Sequence, residues 1–207
     1  MTDRQAPAAL ADPLPAPRSI QAHALDHLRY IRQTMERASS FTAISGWGQV
    51  VVGLIGLVAA MVAARQSSPM AGVAVWMAAA VLGASVAGAA MWRKSRRVGV
   101  PLLSGPGRKF AFGFLPPLAA GGVLTVGMCR AGLFDWLSGT WLLLFGTAVV
   151  AGGATSVKVV PVMGGCLMAL GVCALFGPPA WGVWLMAAGF GMLHIGFGLV
   201  VAVKYGG

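Results

Sequence analysis

The chain has 207 residues, 57% of them hydrophobic and only 10% charged, with a formal net charge of +10. A mean hydropathy of +0.79 excludes an ordinary soluble globule, whose surface would need far more charge. At about 20 apolar residues per crossing of a ~30 Å hydrocarbon core, the length suits one compact bundle of about six helices and no second domain.

Residues 1–19 are rich in Pro and Ala and are expected to form a disordered tail. They contain no apolar core of a signal peptide, so the first spanning helix is expected to serve as the insertion signal. From 20 to 38 the pattern changes. Leu25, Leu28, Ile31, Met35 and Ala38 recur at three- and four-residue steps, while His23, Asp26, His27, Gln33 and Glu36 fall mostly elsewhere. Arg32 and Glu36 form an i,i+4 pair. This spacing predicts an amphipathic helix on the cytoplasmic membrane surface or under the bundle.

Six apolar runs follow, over about 41–63, 70–92, 110–128, 136–156, 159–176 and 181–203. None contains Asp, Glu, Lys or Arg. The expected fold is therefore all-α, a six-helix transmembrane domain over 41–205. With the N-terminus inside, the cytoplasmic side receives the five arginines before the first span, the Arg93–Arg97 cluster, Arg108, Lys109, Lys158 and Lys204. Those are thirteen of the fifteen basic residues, and only Arg65 and Arg130 fall outside. The positive-inside rule thus places both ends in the cytoplasm. The same distribution explains the net charge without nucleic acid, since no basic stripe lies in a soluble segment. Trp47 and Trp92 fall near inner ends and Trp136, Trp141, Trp181 and Trp184 near outer ends, as an interfacial belt requires, while Trp76 sits deeper. Small residues four apart, such as Gly83 with Ala87 and Ala148 with Gly152, predict close helix packing.

The five acids are Asp3, Asp12, Asp26, Glu36 and Asp135, and none lies at membrane depth. A pump or antiporter that works through a buried carboxylate is not expected. Paired aspartates, HExxH and GxSxG are also absent, so no enzyme is expected. The ionisable residue inside a span is His194, in GFGMLHIGFG. Ala187, Gly191, Gly198 and Ala202 share its helix face and clear a strip before the imidazole. One reading is an axial ligand to haem or a chlorophyll-type pigment. The other is that a helix packs on the glycines while His194 hydrogen-bonds across to it. No second spanning histidine is present for a bis-imidazole haem. His23 and His27 stand i,i+4 and could share a metal, although a third ligand is missing. Met163, Cys166 and Cys173 lie near one face of the fifth span and offer soft ligands for Cu(I) or ordinary packing. Without a CxxC motif no redox pair is expected, although Cys129 and Cys173 both fall near the outer face, where a disulfide is geometrically open. Pro116-Pro117 removes two backbone donors inside the third span and is expected to kink or break it. Broken helices line transport sites, usually as a pair in two related halves, and the sixth span carries no Pro to match.

Two stretches, HLRYIRQTMERASSFTAISGWG (27–48) and GMLHIGFGLVVAVKYGG (191–207), resemble the ends of a group of uncharacterised small polytopic bacterial membrane proteins. The resemblance covers about a fifth of the chain and carries no activity and no site residues. It implies a bacterial inner-membrane protein with a cytoplasmic amphipathic lead-in. The expected role is a non-enzymatic accessory or structural subunit that docks lipid, partner helices or further copies of itself. The alternatives are a facilitator for a small neutral solute at the Pro-containing third helix, and a haem- or pigment-bearing subunit through His194.

The orientation is testable by labelling. A cysteine placed at Ser67 is expected to react with a membrane-impermeant maleimide in intact spheroplasts, and one at Gly207 only after permeabilisation. The opposite pattern reverses the topology.

Overall fold

The computed structural model describes residues 27, 28, 30, 31, 44–99, 105–154 and 156–205. The tail expected at 1–19 lies outside the described residues, as do most of 20–38 and His23. Of that second stretch, His27, Leu28, Tyr30 and Ile31 are helical and exposed, so two members of the apolar stripe stand on a surface. The remainder forms its own unit.

That unit is an all-α bundle with, among the described residues, six helices long and apolar enough to cross a bilayer, as in a multi-pass membrane protein. They are α1 (Gly46–Ala63), α2 (Pro69–Val98), α3 (Gly105–Ala131), α4 (Asp135–Gly153), α5 (Val159–Phe176) and α6 (Pro179–Tyr205). Local chemistry sets several ends. The Ser45 and Ser68 hydroxyls each accept from the backbone N–H three residues on, at 3.2 Å, and cap α1 and α2. Gly99 (φ 71°) follows α2 and Gly132 (φ 73°) follows α3, both in the left-handed conformation that suits glycine after a helix. The basic cluster at 93–97 therefore continues α2 beyond the apolar run, and the Arg96 guanidinium lies 4.8 Å from the centre of the Trp92 ring. Helix α3 starts before its apolar run and stays one α-helix across Pro116-Pro117, so the proline pair does not break it.

Packing is organised by two antiparallel seams of glycine. In the first, a Cβ on Gly53 would sit 2.7 Å from the Gly191 carbonyl oxygen, and one on Gly198 would sit 2.9 Å from that of Gly46. In the second, Gly139 faces Gly171 and Gly146 faces Gly164, where a Cβ on either member of the latter pair would lie 2.8 Å from the other's carbonyl oxygen. Each seam repeats every seven residues on both helices. Only glycine lets α1 meet α6, and α4 meet α5, at this distance. Helix α6 also packs on α4 and α5 and so joins the two pairs. The small pairs read at four-residue spacing have other partners: Gly83 contacts Val52 of α1, and Gly152 faces Phe110 and Phe114 of α3.

Helices α2 and α3 are peripheral. Helix α2 leans on α1 and α3 on α4, and only 6% and 11% of their apolar windows are buried, against 33–44% for the other four. Near the C-terminal end of α2, Lys94 Nζ donates to the Ile44 carbonyl at 3.1 Å and to the Tyr205 carbonyl at 3.4 Å, tying α2 to both members of the first seam.

The seam makes a sharp stability prediction. Gly53→Ala is expected to lose about 1–3 kcal/mol by overpacking. Gly72→Ala, where a Cβ meets nothing within 4 Å, is expected to be neutral or slightly stabilising. Thermal unfolding of the two purified variants in the same detergent checks the contrast.

Candidate functional site

Because α2 and α3 are each held on one side only, a cavity of about 560 Å³ remains between them, within the size range of small-molecule sites. On α2 its wall runs from Trp76 to Met91, about 22 Å along the axis. Phe110, Phe114 and Leu118 form the α3 wall, and α1, α4, α5 and α6 close the back. Among the described residues the lining contains no Asp, Glu, Lys or Arg. Apart from the two indoles, its polar side chains are Gln49 and His194.

An aromatic row crosses the back wall. Trp76 lies 6.0 Å from Phe190, Phe190 lies 5.0 Å edge-on to Phe145, and Phe145 lies 5.7 Å edge-on to Phe114. His194 sits in this row, 5.9 Å from Phe190 with nearly parallel planes and 5.5 Å from Phe145. It is 1% exposed and, with Leu142 and Leu167, one of the three largest fully buried side chains.

The backbone explains how a buried imidazole is tolerated there. Residues Ala187–Leu193 of α6 form a π-helical segment, a rare irregularity that recurs at functional positions. His194 Nδ1 lies 2.9 Å from the Gly189 carbonyl oxygen, five residues back along its own helix. A carbonyl only accepts, so Nδ1 carries the proton and donates. An apolar surround without acids favours the neutral ring, and Nε2 is then a bare acceptor. Among the described residues, Nε2 has no hydrogen-bond partner.

Of the two readings of His194, the packing of a helix on its glycines agrees with the structure, and the cleared strip does not. The strip of Gly191 and Gly198 is not open space: Leu57 fills the first position, and the α1 backbone with Gln49 fills the second. The hydrogen bond also runs to its own helix rather than across to another. The cavity that His194 lines lies between α2 and α3 instead. Helix α6 does carry an irregularity to set beside the proline pair of α3, in the form of a π segment rather than a proline. Pro116 and Pro117 are not in the cavity lining, which takes Phe114 and Leu118 from the turns on either side.

The remaining sulfur and indole groups divide. Met163 is buried and lines the cavity, Cys166 is half-buried and Cys173 is exposed, so the three sit in different surroundings. All three cysteines are free thiols, and Cys129 and Cys173 are not joined. Among the described residues no group of three His, Cys, Asp or Glu could hold a metal ion. Five tryptophans stay on the surface, whereas Trp76 lines the cavity and Trp141 turns inward. Trp141 Nε1 donates to Thr125 Oγ1 at 2.9 Å, and that hydroxyl donates to the Gly121 carbonyl at 2.7 Å. The bond holds α3 against α4 beside the cavity. Sequence reasoning missed Phe114, Phe145 and Phe190, which come from three helices and share no linear pattern.

No family model matches the sequence, and neither a curated protein nor a solved structure matches it significantly.

The α3–α4 bond can be tested alone. Thr125→Val leaves the Trp141 N–H unsatisfied and is expected to cost about 1–3 kcal/mol, whereas Thr125→Ser retains the acceptor and most of the stability. Thermal unfolding followed by tryptophan fluorescence separates the two.

Proposed function

We propose that the protein is a non-enzymatic membrane subunit that takes up a small, neutral, apolar molecule from the bilayer through the gap between α2 and α3. The observation that carries this reading is the cavity of about 560 Å³ whose lining is apolar and uncharged. A charged solute would lose its hydration there without gaining a partner. A lipid-soluble one loses nothing and gains contact with an aromatic wall. The gap faces the side on which the bundle is least packed, so entry needs no aqueous pore. The thirteen-to-two distribution of basic residues supports both ends in the cytoplasm, and the resemblance of 27–48 and 191–207 supports a bacterial inner membrane.

Docking of a partner helix is the second reading. It is favoured by the shallow burial of α2 and α3 and by Gly72, Gly88, Gly122 and Gly127, where nothing lies within 4 Å of a built Cβ. In that case the partner covers the gap and regulates access to it. A haem or chlorophyll-type pigment on His194 has one supporting feature, the Nδ1–carbonyl bond that commonly orients a metal-binding imidazole. The carboxylates of a haem, however, would meet no Lys or Arg in the lining.

The test is photolabelling in proteoliposomes with the apolar probe trifluoromethyl-phenyldiazirine, mapped by mass spectrometry. Saturable labelling at Phe145 and Phe190, lost on Ala84→Trp, is the expected result. Labelling confined to the outer helix faces, non-saturable and indifferent to Ala84→Trp, would sink the proposal.

A further inference from the structure

Resting on the uptake reading above, we infer that the cavity selects an apolar molecule with a hydroxyl on a flat ring, a phenol or quinol, and holds it through Nε2 of His194. Three observations converge. The first is the fixed tautomer. Nδ1 is committed as donor to the Gly189 carbonyl at 2.9 Å, so the remaining ring nitrogen accepts a proton-bearing group and cannot offer one. The second is isolation. His194 is 1% exposed in an uncharged wall, and Nε2 has no partner among the described residues. A buried polar atom left unpaired is costly, and a ligand hydroxyl removes that cost. The third is shape. Phe190, almost parallel to the imidazole, and Phe145, tilted to it, line the cavity together with His194, and their faces favour a planar ring.

These conditions discriminate between close chemical relatives. A quinol or phenol brings the O–H that Nε2 lacks. The corresponding quinone or ether brings only oxygen lone pairs, which face the lone pair of Nε2 and gain nothing. A site built for a hydroxyl rejects the analogue without it much more strongly than an apolar pocket rejects a missing methylene. Gln49, the other polar side chain of the lining, has both a donor and an acceptor and so does not itself impose this choice.

The experiment uses the full chain in proteoliposomes and measures how two probes compete with diazirine labelling at Phe145 and Phe190. They are 2-naphthol and 2-methoxynaphthalene, which share one ring system and differ in the hydroxyl proton. Concentrations in the membrane are corrected by partitioning into protein-free vesicles. The naphthol is expected to compete about five- to tenfold more effectively than its ether in the wild-type protein. His194→Leu is expected to bring the two probes to the same potency. Equal competition by both in the wild type would overturn the inference and leave the apolar cavity standing. Absence of saturable labelling would instead remove the uptake reading itself. The wild-type contrast decides the matter even if the His194→Leu protein does not fold.

Discussion

In a bilayer the lipid tails offer a helix the same apolar contacts that another helix does, so helices stay together by how closely their backbones approach. Everything else in this bundle depends on that constraint. The Gly46–Gly198 and Gly53–Gly191 contacts bring α1 onto α6, and the Gly139–Gly171 and Gly146–Gly164 contacts bring α4 onto α5. Helices with such a seam are held on their inner faces. Helices α2 and α3 lack one on the sides that face each other, and there the packing opens. The cavity is the complement of the seams. A close-packed core with room for a ligand needs both strongly and weakly joined helices, and the placement of glycine decides which is which.

Within the cavity, the same economy explains His194. Burying an imidazole in an apolar wall needs at least one hydrogen bond, and a regular α-helix has few carbonyls to spare away from its C-terminal end. The π segment over Ala187–Leu193 places the Gly189 carbonyl within reach of Nδ1. One backbone irregularity thus satisfies one ring nitrogen and fixes the state of the other. Trp141 and Thr125 solve a related problem on α3 and α4 by satisfying each other and a backbone carbonyl.

Much of this architecture was legible in the sequence because apolar runs of membrane length have few other structural outcomes. The spans at 159–176 and 181–203 match α5 and α6 to within two residues at each end. Helix α2 runs past its apolar span because charge does not stop a helix and a cap does, and the cap is Gly99. The seams were not legible for a different reason. A single chain displays small residues at many spacings, and only the register of two antiparallel helices shows that the seven-residue steps are the ones in contact. His194 could be picked out as the ionisable group inside a span, but its surroundings could not. The clearing attributed to Gly191 and Gly198 belongs to α1, and the aromatic row comes from Trp76, Phe114, Phe145 and Phe190 on four helices.

The pairing of α1 with α6 also governs how the protein comes to be assembled. Gly53 emerges from the ribosome 138 residues before Gly191, its partner. At ordinary rates of synthesis the interval is on the order of ten seconds. During it α1 has α2 to pack on but not yet α6. The α4–α5 pair, close in sequence, closes almost as soon as it is made. The second seam is therefore complete in the growing chain before the first, and Lys94 can join the two ends of the first seam only once Tyr205 has been made.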